Sequence, residues 1–174
     1  MTTTMYLCGP VEWAKSAGDW RQMYEDRLAS KNIVILNPLK KPEDAIPEAK
    51  MPQKAYWDAY FDALKKGVVT DDLRSAFRGM KAVIDICLDM VRRSDIVVCR
   101  LTPTFTVGTI EELVLAKQMA TFADWKRVFF VCPEGIPSFW LLVEFAPEPE
   151  RIKEVFFDTD EDFLSFLEKE LEKS

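Results

Sequence analysis

The stretch SDIVVCRLTPTFTVGTIEELVLAKQMA holds the residues best suited to chemistry. Its apolar run at 95–101 predicts a strand, and a loop then leads through Gly108 into a helix whose first turn carries Glu111 and Glu112. A carboxylate in that turn is favoured in its ionised form by the helix N-terminus. An ionised, preorganised carboxylate suits nucleophilic attack on an acetal-like carbon. The chain has no histidine, so acid and base work falls to carboxylates, Tyr, Lys or Cys. Each candidate also has a plainer use. Thr109-Ile110-Glu111-Glu112 matches a capping box, in which Glu112 reaches back to the Thr109 N–H. Asp95 stands where an acid commonly ends a turn or caps the preceding helix, and Tyr6, inside the first apolar run, suits a core position.

A second candidate region is MYLCGPVEWAKSAGDWRQMYEDRL, starting at Met5. Gly9 permits close backbone approach to a ligand and Pro10 turns the chain off the sheet, leaving residues 10–18 as a loop able to close over a bound molecule. Asp19 reads as an N-cap, Trp20 as a core anchor, and Arg21 or Lys15 as a cation that meets a phosphate.

The elements that must position these residues alternate. Apolar runs at 5–9, 33–38, 95–101, 127–133 and 154–157 predict strands; helical patterns fall at 19–30, 53–66, 71–93, 109–122, 138–145 and 160–172. This order predicts an α/β domain with a parallel sheet and right-handed crossovers, whose ligands bind outside the carboxyl ends of the strands. Four prolines in 38–52 predict an irregular connector or lid. In the last helix Phe163, Phe166, Leu167 and Leu171 share one face. Tyr56, Trp57 and Tyr60 are aromatic surfaces for a base, although their helical spacing suits packing.

Composition narrows the function classes. The 174 residues, 48% hydrophobic and 30% charged, suit a single globular domain over 1–174. Net charge is −6 with no basic stripe, which disfavours tracking along a nucleic-acid polymer and favours a small-molecule partner. Cys8, Cys87, Cys99 and Cys132 sit in apolar runs without a C-x-x-C pair, as buried reduced thiols of a cytoplasmic protein would. No run approaches the roughly 18 apolar residues of a membrane span.

MYLCGP at the start, SDIVV in a middle strand and GTIEELVLA opening the next helix together resemble the nucleoside 2-deoxyribosyltransferase-like family, which includes deoxynucleoside 5′-monophosphate N-glycosidases. The likeness covers about the first 120 residues in pieces, and their order and spacing carry it. It implies a flavodoxin-like, Rossmann-like three-layer fold with a five-stranded parallel sheet and no cofactor or metal. By position, Glu112 matches the nucleophile that attacks the anomeric carbon, Tyr6 the residue that orients it, and Asp95 the acid that protonates the departing base. Gly9 and Pro10 match the loop lining sugar and base, and Gly108 and Thr109 the turn by the 5′ side. A neighbouring subunit often completes such pockets, which implies a homodimer or larger, with Ser138 in PEGIPSFW as donor. Val107 stands where many transferases have Asp, and Val114 where the family usually has Gly. The expected activity is cleavage of the N-glycosidic bond of a 2′-deoxynucleoside or its 5′-monophosphate, with transfer to a second base or to water. The alternatives are a catalytically silent nucleotide sensor and an NAD-type glycohydrolase.

Overall fold

The computed structural model describes residues 2–10, 18–102, 106–122, 126–136, 138–146 and 148–173, with the side chains of 139, 140 and 142 left aside. Lys15 lies outside the described residues, as does most of the 10–18 loop. Five strands form one parallel sheet: β1 (Thr3–Cys8), β2 (Ile33–Leu36), β3 (Ile96–Arg100), β4 (Arg127–Val131) and β5 (Phe156–Phe157), in the order β2-β1-β3-β4-β5. The helices are α1 (Asp19–Leu28), α2 (Gln53–Lys66), α3 (Asp71–Arg93), α4 (Val107–Phe122), α5 (Phe139–Phe145), α6 (Ile152–Val155) and α7 (Asp160–Leu171). This is the flavodoxin-like three-layer arrangement. Among the described residues no helix is long and apolar enough to cross a membrane.

The chain divides into two compact units, one of residues 1–39 and 90–174 and one of residues 40–89. The first contains the whole sheet. Alternation along the strands sends Met5 and Leu7 of β1, Ile96 and Val98 of β3, and Phe129 and Val131 of β4 into one core with Trp20, Tyr24 and Leu28 of α1 and Phe163, Leu164 and Leu167 of α7. Each large apolar side chain buried there contributes about 1.5–3 kcal/mol. Thr159 caps α7 by accepting from the Asp162 N–H at 3.1 Å, and three acids fill that helix's first turn. Residues of opposite parity, Tyr6, Cys8, Val97, Cys99 and Phe130, face the other way, toward α4 and α5.

Three boundaries differ from the sequence reading. The run at 154–157 is half helix: α6 takes its first residues and β5 keeps only two, which complete the sheet edge against Phe130 and Val131. Asp19 is the first residue of α1 and not its cap; Gly18 holds the cap position without a side-chain bond, and Asp19 serves the helix dipole instead. The helix expected from 109 begins at Val107, which changes the use of Glu112, as shown below.

The second unit orders the proline-rich segment. Residues Pro47–Lys50 form a 3₁₀ turn at the Glu48 backbone: Tyr56 Oη donates to Glu48 O at 2.6 Å, and Arg78 Nη2 pairs with Glu48 Oε1 at 3.3 Å. Gly79 of α3 lets this turn pass so closely that a Cβ there would stand 2.5 Å from Glu48 O. Trp57, Tyr60 and Phe61 of α2 contact one another at centroid distances of 5.4–6.2 Å, yet Trp57 and Tyr60 stay 37% and 40% exposed.

Candidate active site

Tyr6 and Glu112 meet. Tyr6 Oη donates to Glu112 Oε1 at 2.7 Å, across 106 residues of sequence. The tyrosine is fully buried near the carboxyl end of β1, and the carboxylate is half-buried on α4, which follows β3. The pair therefore stands toward the carboxyl side of two adjacent strands, where parallel sheets bind ligands. A bond this short to an ionised acceptor is of the strong, charge-assisted kind.

The start of α4 explains why Glu112 is available. Thr109 N donates to Thr106 Oγ1 at 3.3 Å, and the Thr106 and Thr109 hydroxyls are 2.9 Å apart. Thr106 is thus the N-terminal cap, and the capping box expected at Thr109 does not form. Glu112 lies beyond the first turn and turns to the sheet instead of to its own helix end. The signal was present in the sequence, since Thr106 and Thr109 are both threonines three apart and either fits a cap.

Gly9 and Pro10 follow β1 and are buried. Gly9 has φ +154°, and a Cβ there would stand 3.0 Å from Arg100 O and 3.2 Å from the Trp20 ring. Glycine is needed at this place for space as well as for backbone geometry. Arg21 reaches back from α1, donating from Nη2 to Gly9 O at 2.9 Å, with its guanidinium 4.4 Å from the Trp20 ring centroid. Burial of the whole side chain pulls its pKa down, and the negative charge of the nearby Glu112 carboxylate opposes that fall. In this conformation Arg21 is an internal strut of the Gly9 loop rather than a surface cation facing a phosphate.

Gly108 is exposed in the first turn of α4, with open space where a Cβ would be, whereas Thr109 is buried. Val107, at the position of the family's Asp, is 82% exposed. Ser138 is half-buried just before α5, and its carbonyl accepts from Leu141 N at 3.2 Å.

Asp95 is not brought to this site. It pairs with Thr4 in the ladder, two residues and about 7 Å of strand rise toward the amino edge from the Tyr6 row. Its Oδ2 accepts from Thr4 N at 2.7 Å and from Thr4 Oγ1 at 2.8 Å. The role of proton donor to a leaving base, expected from the resemblance, does not fit this placement at the opposite end of the strands. Asp95→Ala is expected to lower stability by about 1–3 kcal/mol through loss of these bonds. Turnover per folded molecule should stay within about twofold of the parent, since no reacting group is removed. Kinetics on protein whose folded fraction is set by circular dichroism checks this, and a hundredfold loss with the fold intact would return Asp95 to the reaction.

The amino edge holds a residue that sequence reasoning passed over. Lys126, 4% exposed, donates from Nζ to Val91 O at 2.7 Å, to Ser94 Oγ at 3.3 Å and to Ser94 O, closing the carboxyl end of α3. Desolvation pushes its pKa down to about 8, and Asp95 opposes the shift. Because the folded pKa is below the unfolded value near 10.4, the unfolded chain binds the proton more tightly, and stability from this group rises as pH climbs from about 8 to about 10.4. Denaturant titrations across that window should show the parent gaining up to about 2–3 kcal/mol relative to Lys126→Met. A pH-independent difference would show that Lys126 keeps its ordinary affinity for the proton.

Compared with protein-family models and with curated proteins, the chain matches none. A groove of about 320 Å³ between α4 and α5, lined by Ile110, Leu113, Val114, Lys117, Leu141 and Phe145 with Glu144, lies on the flank of α4 turned away from Glu112 by the helical rotation of 100° per residue. It is a distinct feature from the Tyr6–Glu112 site.

Proposed function

We propose that this protein cleaves the N-glycosidic bond of 2′-deoxynucleosides or their 5′-monophosphates through a covalent glycosyl-Glu112 intermediate. The observation that carries the reading is the 2.7 Å bond from Tyr6 to Glu112 at the carboxyl side of β1 and β3. The tyrosine fixes one carboxylate oxygen and lowers its freedom, and the carboxylate is only half-buried. As the bond from the anomeric carbon to the base breaks, positive charge grows on the sugar, and a carboxylate beneath it stabilises that charge and then closes a covalent bond. The bonding pair leaves with the base. A second base or water then attacks the same carbon and returns the carboxylate, and the proton it gives up neutralises the departed base anion. The loop at Gly9 and Pro10, braced by Arg21 and Trp20, and the open turn at Gly108 supply walls for the ligand. The exposed apolar side chains Ile110 and Val114 along the α4–α5 groove support assembly with a second copy.

The test is incubation of purified protein with a panel of deoxynucleosides and their 5′-monophosphates, with and without a second free base, products being resolved by chromatography. Exchanged nucleoside, or free base with free sugar, is the expected result. Bound ligand without turnover across the panel would overturn the reading in favour of a nucleotide sensor.

A further inference from the structure

Helix α2 buries its small side chains and leaves its large ones in solvent. Ala59 and Ala63, four residues apart, are buried, whereas Trp57, Phe61 and Leu64 on the other side are exposed, Phe61 by 52% and Leu64 by 59%. Val68 follows the helix-ending Gly67, is held there by its N–H donating to Ala63 O at 3.3 Å, and is 58% exposed. Positions 57, 61, 64 and 68 step by four, three and four residues, the 3.5-residue repeat of a seam that packs against another helix. Taking about 200 Å² for a full aromatic side chain, Trp57, Tyr60 and Phe61 alone leave roughly 260 Å² uncovered. Leu64 and Val68 bring the patch to the size that proteins keep for a partner, and Trp and Tyr are the side chains that anchor such contacts.

The charges beside the seam identify that partner. Asp58 and Lys65 each follow a seam residue by one position, so they flank it on one side, seven residues apart. Asp58 pairs with Lys54 at 2.6 Å and Lys66 with Asp62 at 2.7 Å, whereas Lys65 makes no ion pair among the described residues. When two such helices pack antiparallel about a two-fold axis at Phe61, equal flanks face each other and position 58 of each copy lies against position 65 of the other. Both meetings join Asp to Lys. A parallel pairing would set them against the opposite flank, Gln53, Tyr60 and Gly67, which carries no charge.

We propose that α2 is a self-association surface: two copies of this chain join by antiparallel packing of Trp57, Phe61, Leu64 and Val68, with Asp58 and Lys65 paired across the two-fold axis. The surface lies wholly within the unit of residues 40–89, shares no residue with the α4–α5 groove and is independent of the chemistry at Glu112. Its apolar stripe is the core, and the flanking charges part of the rim, of an interface of ordinary size, about 800 Å² per partner.

The experiment is sedimentation equilibrium of the full chain across the micromolar range, with circular dichroism on each variant. The substituted side chains are all exposed, so the fold should stand. Phe61→Asp should halve the mass of the assembly that the parent forms, and Leu64→Glu reads the same seam if that variant does not fold. Asp58→Lys and Lys65→Asp each set like charges opposite one another twice, and each should raise the dissociation constant about tenfold or more. An equimolar mixture of these two variants restores opposite charges at both meetings and should return to within about threefold of the parent. A parent that stays monomeric, an assembly whose mass is unchanged in Phe61→Asp, or charge variants that do not complement each other when mixed would each overturn the proposal.

Discussion

Replacing Glu112 by Ala is expected to lower turnover of the preferred deoxynucleoside by about ten-thousandfold or more, equivalent to roughly 5 kcal/mol of barrier. The size follows from the role. Without the carboxylate no covalent intermediate forms, and the charge on the sugar loses its nearest counter-ion. Glu112→Gln is the sharper comparison, because the amide keeps an acceptor for the Tyr6 hydroxyl at nearly the same volume but carries neither charge nor useful nucleophilicity. Both variants should bind ligand; Glu112→Gln should melt close to the parent, whereas Glu112→Ala takes the acceptor from the buried Tyr6 hydroxyl and should lose about 1–3 kcal/mol of stability. Steady-state kinetics with a parallel melting curve checks this. Residual activity within tenfold of the parent in either variant would remove Glu112 from the chemistry.

Tyr6→Phe carries the second largest effect. The substitution keeps the ring in its buried place and deletes only the 2.7 Å donor. A hydrogen bond to a charged group is worth about 1.5–3 kcal/mol, so kcat should fall about 10- to 100-fold. The carboxylate would also lose a bond that favours its ionised form, so the acidic limb of the pH–rate profile should move to higher pH. A structural tyrosine would give a lower melting temperature with kcat per folded molecule preserved. The reverse pattern, a fall in kcat at an almost constant melting temperature, is the one expected here.

Much of the fold was legible because its signals are local. IVIL at 33–36 and VFFV at 128–131 are β-branched or aromatic runs flanked by polar helices, and such alternation leaves a parallel sheet as the economical solution. The Tyr6–Glu112 meeting was legible only through the resemblance, since nothing within five residues of Glu112 distinguishes it from a capping glutamate. Thr106 and Thr109 offer the helix two caps of equal quality, and packing of Thr109 into the interior selects the earlier one. Asp95 failed for a related reason. A Ser-Asp before an apolar strand reads the same whichever partner it finds, and only the register with Thr4 shows that it closes the amino edge. Lys126 looks solvated in sequence, and its burial depends on the end of α3 arriving above it, which is a tertiary event. The ordered turn at Glu48 likewise needs Tyr56 and Gly79, supplied by two later helices.

The most direct test of the central claim is to trap the intermediate. The parent is mixed with an active deoxynucleoside without acceptor base, quenched in acid on the millisecond scale, digested and mapped by mass spectrometry. The expected result is a peptide containing Glu112 heavier by one deoxyribosyl group, which disappears in Glu112→Gln and is discharged when a second base is added before the quench. Turnover with no adduct at any quench time, or an adduct on a different residue, would contradict it.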